Sequence, residues 1–90
     1  MVHADRIREE IRVINLKHES LVSYRIFCNF NRRLDYLNGI ELGILPDRCV
    51  CTQEEVAEKE LLELYHATIQ EHFPELTSKW TRRCQDNYLD

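Results

Sequence analysis

Two glycines and two prolines are the whole backbone punctuation of this 90-residue chain. A β-sandwich or barrel needs a turn every roughly 8–12 residues, and turns draw heavily on those two residue types. Four such residues cannot separate the strands of a sandwich. The chain is therefore expected to be all-α, a small bundle of about four helices forming a single domain over residues 1–90. Hydrophobic residues make up 43% of the sequence, which places it outside the composition of disordered chains.

The apolar spacing supports helices near 4–18, 20–38, 53–73 and 75–88. Ile7, Ile11 and Ile14 recur at four and three, with Arg6, Arg8, Glu9, Glu10 and Arg12 filling the other faces. Tyr24, Phe27, Phe30, Leu34 and Leu37 recur at three and four, and Asn38-Gly39 reads as the stop of that helix. The same stretch alternates as Val22, Tyr24, Ile26, Cys28 and Phe30. The alternative fold is therefore α+β, with a short strand pair at 21–30 and 39–45. Gly43 and Pro46 interrupt the chain after that, and Ile40, Leu42, Ile44 and Leu45 are too apolar for a free loop. They are expected to lie against the helices as a packed connection, and short connections should make successive helices antiparallel neighbours.

Thr52-Gln53-Glu54-Glu55 has the pattern of a capping box, with a Thr hydroxyl for the orphan N–H groups and Glu55 to reach back. The helix that follows carries two apolar rows, Ala57–Leu61–Leu64–Thr68 and Leu62–Tyr65–Ile69–Phe73. Pro74 suits the first turn of the last helix, whose stripe is Leu76, Trp80, Cys84 and Tyr88.

No stretch carries a phosphate loop, an oxyanion-hole turn or a paired metal-ligand spacing. Cys49 and Cys51 are separated by one residue and lack a second pair at zinc spacing, and His66 and His72 do not share a helix face. No catalytic residue, metal or other cofactor is assigned, and the chain is not read as an enzyme. The N-terminal stretch has no apolar signal core, and no apolar run is long enough to span a bilayer. The expected location is therefore intracellular, in cytoplasm or nucleus, with Cys28, Cys49, Cys51 and Cys84 as reduced thiols.

Net charge is −4 and uneven: residues 1–45 hold seven basic and six acidic groups, residues 46–90 five and ten. An acidic second half favours a protein partner over nucleic acid. A domain this small buries only roughly 60–65% of its unfolded surface, and such domains lean on a metal, a disulfide or a partner. With the first two set aside, the expected function is a protein–protein interaction module, self-associating or docking a helical partner in a larger assembly. Its surface would be Leu62, Tyr65, Ile69 and Phe73, with Trp80 and Tyr88 as aromatic anchors. The alternative function is a small helical nucleic-acid-binding domain using Arg32, Arg33, Lys79, Arg82 and Arg83 on phosphates.

Overall fold

The computed structural model describes residues 4–48 and 50–89, with side-chain surroundings given through Cys84. Four helices follow in order: α1 Ala4–Asn15, α2 Tyr24–Glu41, α3 Gln53–His72 and α4 Pro74–Leu89, with a short 3₁₀ turn at Glu19–Leu21 between the first two. The fold is an all-α bundle. The α+β alternative is corrected: residues 24–41 are continuous helix, and no strand occurs among the described residues. Three turns of regular 3–4 spacing outweigh the local alternation, because the helix buries Phe27, Phe30, Leu37 and Ile40 on one side.

Helix ends differ from expectation for identifiable reasons. Helix α1 stops at Asn15, and Lys17 takes the left-handed conformation at φ 61. Helix α2 starts late because Ser23 is its N-cap, its hydroxyl accepting from the Ile26 N–H at 3.3 Å. It also runs through Asn38-Gly39 and stops at Gly43 instead. Gly43 has φ +72, its N–H donates to Ile40 O and the Ile44 N–H donates back to Gly39 O, both at 3.1 Å. That pair of bonds is the glycine stop expected two residues past a helix end. The Thr52–Glu55 capping box forms as read, with bonds of 3.1 and 2.9 Å.

Helix α3 is the centre of the bundle and packs against each of the other three. The largest contact of α1 is with α3 rather than with its neighbour in sequence, α2. Asn15 bonds His72 at 3.2 Å while Glu10 lies level with Tyr65, so α1 runs alongside α3 in the same direction. The expectation that successive helices pair is corrected there, because the wide apolar face of α3 offers the isoleucine stripe of α1 the larger burial. The core comprises Ile7 and Ile14 of α1, Val22 before α2, Phe27, Phe30, Leu37 and Ile40 of α2, Leu62, Tyr65 and Ile69 of α3, and Cys84 of α4.

Cys28 and Cys84 are joined in a disulfide, with Cα atoms 6.1 Å apart. This corrects the reading of all four cysteines as reduced thiols. Helices α2 and α4 bring two residues 56 positions apart into bonding range, which no local spacing could show. In the chain-entropy account a ring of that size is worth about 4 kcal/mol. Cys51 is a free thiol, half-buried, with its sulfur 3.7 Å from Leu37 O, and Cys49 lies outside the described residues.

Candidate docking surface

The connection between α2 and α3 is fixed at both ends and in its middle. Leu45 packs over Gly39, where an added Cβ would lie 3.7 Å from its Cγ. Arg48 donates one guanidinium hydrogen bond to a Glu55 carboxylate oxygen at 2.7 Å and another to its second oxygen, and reaches Tyr36 Oη at 3.3 Å. Arg33 of α2 grips Glu58 of α3 in the same bidentate way, at 2.7 and 3.1 Å, with its guanidinium 5.3 Å from the Tyr36 ring centre. Lys59 pairs with Glu41 at the end of α2. These groups border an open cleft of about 420 Å³ lined by Arg33, Arg48, Thr52, Glu54, Glu55 and Glu58. Its arginines are matched to carboxylates within the chain, which ties the loop to α3 and α2 to α3.

The electrostatics agree with that reading. The Arg48 hydrogen bonds, then the Thr52 backbone N–H, hold the Glu55 carboxyl down to about 2. The same contact raises the Arg48 guanidinium above its ordinary value. Bonding to Glu58 raises Arg33 likewise.

This pinned loop presents apolar side chains to solvent. Leu42 is 74% exposed, Ile44 70% and Val50 74%. The packed connection expected from sequence is therefore only half realised: Ile40 is core and Leu45 is half-buried, but Leu42 and Ile44 face out. The glycine stop explains Ile44. The residue after such a stop usually packs on the helix position whose carbonyl it bonds. Here that position is Gly39, which has no side chain to meet it.

Three of the residues expected to form a partner surface on α3 lie inward. Leu62, Tyr65 and Ile69 are core, at 0%, 1% and 0% exposure. The outward side of α3 instead holds Val56, Ala57, Glu60, Leu64, Ala67 and Glu71. The bulkier row goes inside because it removes more apolar surface from water. Phe73 is half-buried as the C-cap of α3, and Trp80 is half-buried against Tyr24 and Phe27, its ring centre 5.5 Å from each. The Tyr88 side chain lies outside the described residues.

The basic residues named for phosphate contact lie on α2 and α4. Arg33 is committed to Glu58, Arg32 is exposed on α2, and Arg83 lies 4.6 Å from the Tyr24 ring centre. Lys79 and Arg82 are exposed on α4. Among the described residues no three His, Cys, Asp or Glu side chains are grouped to hold a metal. Among the described residues no helix is long and apolar enough to cross a membrane.

Among the described residues two buried polar atoms of α3 stand without a hydrogen bond, Tyr65 Oη and His66 Nε2. Burial, and secondarily Glu10, raises the Tyr65 phenol above its ordinary value, while burial lowers His66. Burial also raises Glu10, whose carboxylate is 3.4 Å from Arg6.

The chain matches no protein-family model, no curated protein and no solved structure.

Proposed function

We propose that this protein is a protein-interaction module whose docking element is the loop between α2 and α3. One observation carries the reading: three apolar side chains, Leu42, Ile44 and Val50, each at least 70% exposed, stand on a loop held by the Arg48–Glu55 pair. Large apolar side chains gathered on one short loop suit a surface that another molecule covers. A loop already fixed before binding loses little conformational entropy when a partner closes over it. The acidic second half of the chain, with Glu54, Glu60, Glu63 and Glu71 exposed on α3, fits a partner whose rim is basic. The nucleic-acid alternative draws less support, since Arg33 is ion-paired within the chain.

The test is site-directed photocross-linking in cells, with the probe at position 44 and, as control, at the exposed polar position Gln70. A discrete adduct from position 44, absent from position 70 and lost when Leu42→Ser and Val50→Ser are added, is the expected result. An adduct at twice the chain mass would make the partner a second copy. The same diffuse pattern from both positions would rule the loop out as a docking element.

A further inference from the structure

We propose that the Cys28–Cys84 disulfide is a redox latch. It keeps α4 closed on the core built by α1, α2 and α3, and its reduction releases α4 and uncovers the aromatic shelf of Tyr24 and Phe27.

The packing is divided in a way that suits this. Among the residues whose side-chain surroundings are described, ten of the eleven in the core come from the chain before α4, and the one from α4 is Cys84, the latch residue. Of the other described α4 side chains, Leu76, Thr77 and Trp80 are half-buried and the rest are exposed. Helix α4 packs on both α3 and α2, and its described ties to α2 are an edge of indole against Tyr24 and Phe27, Arg83 over the Tyr24 ring, and the covalent bond. By contrast, α1, α2 and α3 share interlocked isoleucine, leucine and aromatic side chains, and Arg33–Glu58 ties α2 to α3 directly. An element with few buried apolar groups is the one that opens first.

The two sulfurs are also unequal. Cys84 is 3% exposed, whereas Cys28 is half-buried. A small dithiol reductant therefore attacks at Cys28. Its thiolate forms a mixed disulfide with the Cys28 sulfur and displaces the Cys84 thiolate, which takes up a proton. The reductant's second thiol then attacks the mixed disulfide, leaves as a closed disulfide and returns Cys28 as a thiol. Two electrons and two protons pass from the dithiol to the protein. Freed Cys84 no longer anchors its helix, and Trp80 leaves Phe27.

Trp80 is the single tryptophan, so the event has a clean optical reporter. The experiment takes the full chain after treatment with oxidised glutathione and compares it before and after dithiothreitol, by tryptophan emission and by amide hydrogen exchange read peptide by peptide. The expected result is a red-shifted emission and exchange over 74–84 faster by on the order of 1,000-fold, the ring-closure entropy expressed as an equilibrium constant. Exchange over 53–72 should change by less than roughly tenfold. Cys84→Ser should show the released pattern without reductant. Unchanged α4 protection in fully reduced protein would mean that packing alone seats the helix, and would overturn the proposal. So would loss of protection in all helices together, or in Cys84→Ser as a whole, because the bond would then be a staple of the entire fold. Four alkylatable thiols after oxidation would remove the latch altogether.

Discussion

Arg48 closes its guanidinium fork on Glu55 at the point where Glu55 also accepts from the Thr52 N–H, so one carboxylate caps α3 and anchors the preceding loop. Its folded pKa, about 2, lies below the ordinary 4.5. A carboxyl depressed in the folded state adds stability above its unfolded value and loses it as pH falls. Stability should therefore drop between about pH 4.5 and 2 through this group. Glu55→Gln should flatten the dependence in that window while leaving far-ultraviolet circular dichroism at pH 7 unchanged. Urea midpoints measured from pH 7 to 2.5 check it. His66, lowered by burial, adds a separate loss that begins as pH falls through its ordinary 6.5.

Glu58 is 5% exposed and depends on Arg33 for its charge balance. Arg33→Met leaves that carboxylate inside without a counter-charge, at a cost of about 3 kcal/mol. Adding Glu58→Leu to Arg33→Met should recover most of the loss, since two apolar side chains replace the pair. Denaturant unfolding of the two single variants and the double gives the coupling. Additive losses would show that the pair is not the unit that matters.

Tyr65 buries a hydroxyl with no partner, while its ring meets Phe30 edge-on at 4.8 Å. Tyr65→Phe keeps the ring and removes the unpaired group. Its expected effect is a gain of about 1 kcal/mol, or a melting point higher by roughly 4–8 °C. Tyr65→Ala should instead cost about 3–5 kcal/mol, as other large-to-small changes in cores do. Thermal melts of both variants decide it.

Leu62 and Ile69 are fully buried, whereas Leu42, Ile44 and Val50 are outside. Leu62→Glu with Ile69→Glu should unfold the protein, because two carboxylates cannot be buried unpaired. Changing Leu42, Ile44 and Val50 together to Ser should move stability by no more than about 0.5 kcal/mol, as surface substitutions do. Circular dichroism with temperature separates the two sets.

The sequence showed the helices plainly where periodicity was long and the start was marked. The Thr52 capping box and the Pro74 junction needed no tertiary information, because their partners lie within four residues. The end of α2 was harder, since both Gly39 and Gly43 can stop a helix. The choice falls to the site where two later N–H groups find carbonyls. Which row of α3 supplies most of the core was legible in principle from bulk, Leu62, Tyr65, Ile69 and Phe73 against Ala57, Leu61, Leu64 and Thr68. Reading two equally apolar rows hid it. The Cys28–Cys84 bond, Arg33–Glu58 and the outward Ile44 arise only when distant helices meet, and local spacing carries no trace of them.

Because Cys28 and Cys84 are 56 positions apart, the chain between them is a closed covalent loop that contains all of α3 and the exposed loop before it. A protease that cuts near Leu42 or Val50 adds one water to the mass but releases nothing. The nicked molecule stays one particle in solution and on a non-reducing gel, and divides in two only when thiol is added. The exposed loop thus lies inside the ring, where hydrolysis of one peptide bond does not part the chain.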